Sequence, residues 1–215
     1  MFLEERAALM ITPAGAERLA RELYGMAATA TCLPGEYDSN FRLHACDGRE
    51  FVLKCMHPAR DKSFIDMQCA ALEHLATHAP RLQLPRVQKT EKGDLFATLA
   101  EATGQSRLVW MLGYISGDTL ANANPHSPEL LRDLGRFLGE MDAALGSFAH
   151  PAAYRELKWD LSQANWIVNH VDSIAEPERR ALVEHFLSLF RNSVEPQQSE
   201  LRKSIIMATQ MITIF

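Results

Sequence analysis

The chain has no C-x-x-C pair: its four cysteines, Cys32, Cys46, Cys55 and Cys69, are dispersed, and no histidines accompany them at zinc spacing. That excludes a structural zinc site or a redox dithiol, and the sequence predicts buried apolar thiols in a reducing compartment. No apolar run is long enough to span a bilayer. The N-terminus, Met1-Phe2-Leu3-Glu4-Glu5-Arg6, lacks the basic start and apolar stretch of a signal peptide. Basic charge is also short. Twenty-two Lys and Arg against 27 Asp and Glu leave a net charge of -5 and a pI near 5.9, whereas a nucleic-acid binder carries a basic face. The expectation is a cytoplasmic protein with neither nucleic acid nor membrane among its partners. Internal repeats and low-complexity tracts are missing too. What is present is ordinary: 47% hydrophobic and 23% charged residues over 215 positions, enough for one domain or two small lobes and too apolar for a disordered chain.

Thr12-Pro13 predicts a helix start and Gly25 its stop. Ala28–Leu33 follows as a strand, broken by Pro34-Gly35. Asn40–Cys46 and Glu50–Met56 alternate on either side of Asp47-Gly48, the strongest short-range hairpin signal in the chain. Ser63-Phe-Ile-Asp66 has the form of a capping box and opens a helix with the stripe Ile65, Cys69, Leu72, Leu75 and Ala76. Arg86–Thr90 and Leu95–Ala100 predict a second hairpin around Lys92-Gly93-Asp94. Arg107–Tyr114 is a further strand. The period then changes to 3.6, with helices starting at Ser127-Pro128 and at Pro177. Strand-rich first and helix-rich second is an α+β layout in two lobes with a link near Tyr114–Thr119.

Lys54 is the first residue out of place. It stands in the middle of Phe51-Val-Leu-Lys-Cys-Met56, where a lysine is costly unless it has a partner or reaches water. From this string alone an edge-strand lysine that blocks aggregation is the better account. A hairpin lysine followed by a helix, more strand and an apolar linker is, however, the order of a kinase N-lobe, where the lysine meets nucleotide phosphates.

Gly35-Glu-Tyr-Asp-Ser-Asn-Phe-Arg-Leu43 with Phe51-Val-Leu-Lys54, then Leu134-Gly-Arg-Phe-Leu-Gly-Glu140, Phe148-Ala-His-Pro151 and Trp159-Asp-Leu161, resembles the aminoglycoside phosphotransferase (APH)/choline kinase-like family, in its hydroxylysine-kinase-like branch. The resemblance runs from about Ala28 to Ile206. It implies a protein-kinase-like α+β fold: an antiparallel-sheet N-lobe over 1–113 and an incomplete helical C-lobe over 114–206. It also implies ATP with Mg2+, and phosphate transfer to a hydroxyl of a small amine or amino acid such as hydroxylysine. Lys54 would grip the α- and β-phosphates beneath the turn carrying Gly35, Asp38, Ser39 and Asn40. Leu112, Gly113 and Tyr114 would meet the adenine. The family's helix presents a glutamate to the lysine. The matching position here is Gln68, an amide without charge, and Asp66 and Glu73 are no obvious substitutes. Trp159 and Asp160 either touch the acceptor or are a packing indole and a surface acid.

The family's H-x-D-x-x-x-x-N loop and later magnesium aspartate are missing, so no catalytic or metal residue is assigned. The loop should follow a short strand, expected at Ser204-Ile205-Ile206. One permitted codon spelling of Met207–Phe215, preceded by a C and read out of phase, gives His-Gly-Asp-Ala-Asn-Asp-Tyr-Asn-Ile. The expectation is a frameshift after Ile206, in the gene or in its reading, with 207–215 an out-of-frame tail and the chain inactive as encoded. A native C-terminal strand is the other account of this tail. The rival functions are a nucleotide-binding pseudokinase without turnover and an α+β interaction module.

Overall fold

The computed structural model describes residues 11–35, 38–100, 104–154, 160–201 and 204–206. Glu36, Tyr37, Trp159 and the tail 207–215 lie outside the described residues. The chain forms two compact units, Met1–His150 with Ile205–Phe215, and Pro151–Ser204.

The first unit is built on a six-stranded antiparallel sheet: β1 (Ala28–Leu33), β2 (Ser39–Ala45), β3 (Glu50–Cys55), β4 (Val87–Gln88), β5 (Ala97–Ala100) and β6 (Ser106–Gly113), in the order β1-β2-β3-β6-β4. The hairpin at Asp47-Gly48 is present, with Gly48 at φ 85° and His44 opposite Glu50. The second expected hairpin is not. β4 and β5 both pair with β6, at Leu112 and Met111 and then at Val109 to Ser106, so they run in line along one edge. The Thr90–Asp94 turn between them closes on itself, with Thr90 N donating to Asp94 O and Gly93 N to Thr90 O. Its closure is local, and β6 offers both segments the same vacant edge.

Helix α1 (Pro13–Tyr24) begins and ends as its sequence dictates. Thr12 Oγ1 accepts from Gly15 N at 3.1 Å, and Gly25 takes the left-handed conformation at φ 61°. Its Ala16, Leu19 and Ala20 pack on Phe41, Leu43, Phe51, Leu53, Val109 and Met111, one full face of the sheet. Helix α2 (Lys62–His78) is capped by Asp61, whose Oδ1 accepts from Ser63 N at 2.9 Å. This corrects the expected Ser63 cap: a carboxylate accepts more strongly than a hydroxyl and suits the positive helix start. The buried stripe of α2 is Ile65, Cys69, Ala71 and Leu75, with Leu72 and Ala76 half-buried. Ile65 and Cys69 pack with Met56, Leu108 and Trp110 on the opposite face of the sheet.

Helix α3 (Pro128–Leu145), capped by Ser127 Oγ, joins α2 through Met141 and Leu145 against Ala71 and Leu75. Ser204-Ile205-Ile206 is not a strand, and Ile205 packs on the α2–α3 cluster. In the second unit a 3-10 run at Leu161–Ser173, broken at Gln163, precedes α4 (Pro177–Leu189). Leu187 of α4 is buried, while Leu182 and Phe186 stay 57% and 58% exposed. No described helix is long and apolar enough to cross a membrane.

Two thiols depart from expectation. Cys55 and Cys69 are buried, but Cys32 and Cys46 are exposed, the first on edge strand β1 and the second where β2 enters its turn. All four are free.

Candidate functional site

Alternation along antiparallel strands sorts side chains into rows across the sheet. On the face opposite α1, the register sets Leu33, Asn40, Lys54 and Trp110 in one row and Thr31, Arg42, Val52 and Leu112 in the next. A third row holds Thr29, His44 and Glu50 and is extended by Tyr114, whose N donates to Glu50 O at 3.0 Å. Lysine, asparagine and arginine therefore surround an apolar centre at Val52.

Lys54 is half-buried, with its Nζ 5.9 Å from the centre of the Trp110 ring. Burial pulls its ammonium below the usual lysine range; the Asp38 carboxylate opposes this and Arg60 adds to it. Among the described residues no carboxylate forms an ion pair with it, and no hydrogen bond joins it to Gln68, which is half-buried on α2.

The turn between β1 and β2 closes over this end of the sheet. Asp38 Oδ1 accepts from His57 N at 2.8 Å, and Arg60 reaches both Asp38 oxygens, at 3.3 and 3.2 Å. Asn40 Nδ2 donates to Pro34 O at 3.1 Å, whereas its Oδ1 is buried with no partner among the described residues. At Gly35 a Cβ would collide with the Asp38 carbonyl oxygen and sit 2.7 Å from Asn40 Nδ2, so only glycine fits. A shallow pocket of about 300 Å³ lies at the turn itself, lined by Ser39 and Phe41 of the α1 face as well as by Leu33, Gly35, Asp38 and Asn40; Lys54 does not line it.

The other expected site residues are placed as follows. Ser39 alternates to the α1 face, where it is buried and its Oγ accepts from Ile11 N at 3.4 Å. Leu112 pairs with Val52 inside the ladder, and Gly113 N is taken by Arg86 O at 2.8 Å. With Tyr114 N on Glu50, the first amide past the ladder is that of Ile115. Asp160 caps the 3-10 run of the second unit through Ser162 N at 2.9 Å, which is the structural alternative for that residue.

Three features escaped the sequence. Arg60 stands on the β3–α2 connection, where spacing carries no directional signal. Arg42 forks onto Glu50 with Nη2 2.7 and 2.8 Å from its two oxygens, and lies 4.1 Å from the Tyr114 ring centre; paired charges on alternate strand positions were the available clue. His170-Val171-Asp172 is an H-x-D triplet, but Pro177 stands where the motif needs asparagine and starts α4.

Among the described residues, Lys54 has no ion-pair carboxylate and so calls for an anionic group, while the buried Asn40 Oδ1 beside it calls for a donor. Among the described residues no group of three or more His, Cys, Asp or Glu is placed to hold a metal ion.

A model described as the phosphotransferase enzyme family (APH) matches residues 29–205. Hydroxylysine kinase of Mus musculus is 26% identical over 211 residues, covering 91% of this chain and 56% of that protein. Hydroxylysine kinase of Bos taurus is 27% identical over 189 residues, covering 80% and 50%. The chain thus spans about half the length of the curated relatives it matches. Among solved structures, an amicoumacin kinase in complex with AMP-PNP and Ca2+ superposes with a TM-score of 0.67 at 16% identity, over 95% of this chain and 58% of that one. A microcompartment-associated aminopropanol kinase gives 0.52 at 17% identity, over 66% and 44%. At these identities the likeness is one of fold.

Proposed function

Because the chain belongs to the phosphotransferase enzyme (APH) family, whose model spans residues 29–205, we propose that its β-sheet lobe is an ATP-binding unit of a small-molecule kinase. The observation that carries this is the position of Lys54: mid-strand, facing the turn of Gly35, Asp38 and Asn40, with no ion-pair partner among the described residues. In a phosphotransferase such a lysine neutralises nucleotide phosphates, and burial makes that charge count for more than it would in water. Asn40 Oδ1, buried without a partner among the described residues, suits a hydrogen-bond donor on the ligand, such as a hydroxyl or amino group of the nucleoside. The nucleotide lobe is proposed as 1–113 and the start of the helical lobe as 114–206.

The base is proposed to lie under Val52, between Leu33 and Leu112. With the Gly113 and Tyr114 amides already donated, its main-chain hydrogen bonds are assigned to the segment beginning at Ile115. ATP would bring Mg2+ with it, the chemistry of the metal being to neutralise charge between phosphate oxygens; the described residues supply no cluster to hold it. The acceptor is proposed to be a small amine or amino acid, with hydroxylysine first because the curated relatives carry that name. Four free thiols suit a reducing cytoplasm, which is the proposed location.

The chain is proposed to bind nucleotide without turning it over. Gln68 cannot give Lys54 a carboxylate, and the H-x-D triplet at 170–172 lacks the asparagine that completes the motif. Calorimetric titration with AMP-PNP, beside an ADP-release assay with ATP and hydroxylysine, tests both halves. Saturable binding with no ADP release is the expected result. ADP release that depends on hydroxylysine would overturn the second half, and absent binding the first.

A further inference from the structure

Among the described residues, Arg42 and Arg60 each reach both oxygens of a carboxylate in this lobe, and the two forks differ in kind. Arg42 holds Glu50 at 2.7 and 2.8 Å, the length of a strong charge-assisted pair. Arg60 holds Asp38 at 3.3 and 3.2 Å, longer than the roughly 2.7–2.9 Å of such pairs, and Asp38 accepts its short bond from His57 N at 2.8 Å instead. The Arg60 side chain is 36% exposed while that of Asp38 is 14% exposed. The carboxylate is fixed in the fold, and the guanidinium rests on it from the solvent side.

The position of this loose fork is specific. Asp38 is two residues before Asn40, the Cα partner of Lys54, and Arg60 follows β3 on the connection that starts just after Lys54. A turn in which Arg60 N donates to His57 O at 2.9 Å folds that connection back toward Asp38. Among the described residues, two cations, Lys54 and Arg60, and one carboxylate, Asp38, lie at this end of the sheet.

We propose that Arg60 is a second phosphate-binding cation, paired with Asp38 until nucleotide phosphates enter beside Lys54 and then transferred to them. This rests on the nucleotide reading of the Lys54 face. Arg60 supplies planar, two-pronged recognition that Lys54, a point charge, cannot. Asp38 competes with the nucleotide for the guanidinium and so tunes affinity, while its bond to His57 N keeps the turn in place. The missing helix carboxylate at Gln68 is consistent with this division, because the acid in this cradle comes from the turn.

The test is calorimetric titration of ATP and of adenosine into the wild-type chain and the variants Lys54→Met, Arg60→Gln, Arg60→Lys and Asp38→Asn, each checked for fold by circular dichroism. Arg60→Gln weakens ATP roughly tenfold or more and leaves adenosine unchanged, and Arg60→Lys recovers part of the loss. Asp38→Asn, which can still accept from His57 N, tightens ATP roughly threefold by removing the competing charge. A merely structural clasp predicts the opposite pattern: Arg60→Gln and Asp38→Asn weaken both ligands alike. If Lys54→Met weakens ATP and Arg60→Gln does not, Arg60 is no phosphate ligand and the Lys54 reading survives. If the wild type binds no ATP, or Lys54→Met binds it unchanged, both fall. Should Arg60→Gln fail to fold, Arg60→Lys at wild-type affinity together with a weaker Asp38→Asn overturns the proposal.

Discussion

Lys54 and Asn40 stand opposite one another across β3 and β2, and both side chains face the side of the sheet away from α1. A lysine held there is a cost to the fold, since burial disfavours its charged form. Lys54→Met keeps the length of the side chain and removes the charge, so it is expected to stabilise the chain by about 0.5–2 kcal/mol in urea denaturation at neutral pH. The sign follows from linkage. The folded-state lysine titrates below its unfolded value, so the wild type gains stability as pH rises through that lowered range. The advantage of the variant shrinks over the same range. Equal stability of the two proteins at neutral pH would mean that Lys54 is fully solvated.

Gly35 tests the turn. A Cβ at this position meets the Asp38 carbonyl oxygen and Asn40 Nδ2, and a backbone atom cannot move aside cheaply. Gly35→Ala is expected to lower affinity for AMP-PNP roughly tenfold or more while costing only about 1–2 kcal/mol of stability, because the turn lies on the surface. Unchanged affinity would show that the turn does not approach the ligand.

Glu50 is held below the usual carboxylate range, chiefly by its hydrogen bonds from Arg42. A group depressed in this way stabilises the fold above its unfolded pKa, and the contribution is lost as pH falls through the folded value. Glu50→Gln is therefore expected to be less stable than wild type at neutral pH and to converge with it below the ordinary glutamate range. Denaturation midpoints measured across that range check it; a difference independent of pH would assign the effect to packing.

The thiols divide by burial. Cys55 and Cys69 are pushed up to about 12 by desolvation, while Cys32 and Cys46 are exposed. A thiol reagent at neutral pH is expected to titrate two groups in the native chain and all four after unfolding. Fast reaction of a third thiol would place either α2 or β3 in local exchange with an open state.

The parts of this fold legible in the sequence were those fixed by local chemistry. Asp47-Gly48 needed only a positive φ at Gly48, and Thr12-Pro13 with Gly25 needed only a cap at each end of α1. Lys54 stood out because a lysine interrupts an apolar strand. What was not legible depended on partners distant in the chain. β4 and β5 read as a hairpin because each alternates, but the vacant edge of β6 decided where both went. Ser39 lies one residue from Asn40, and that single step turns it to the α1 face. Arg60 sits in a connection without periodicity, and only the fold brings it onto Asp38.

Whether the Lys54 face takes nucleotide through its phosphates is decided by titrating AMP-PNP and adenosine into the wild-type chain and into Lys54→Met. The expected result is saturable AMP-PNP binding to the wild type, a loss of roughly tenfold or more in the variant, and equal adenosine affinity in both. AMP-PNP affinity that is the same in the two proteins, or absent from the wild type, would contradict the account.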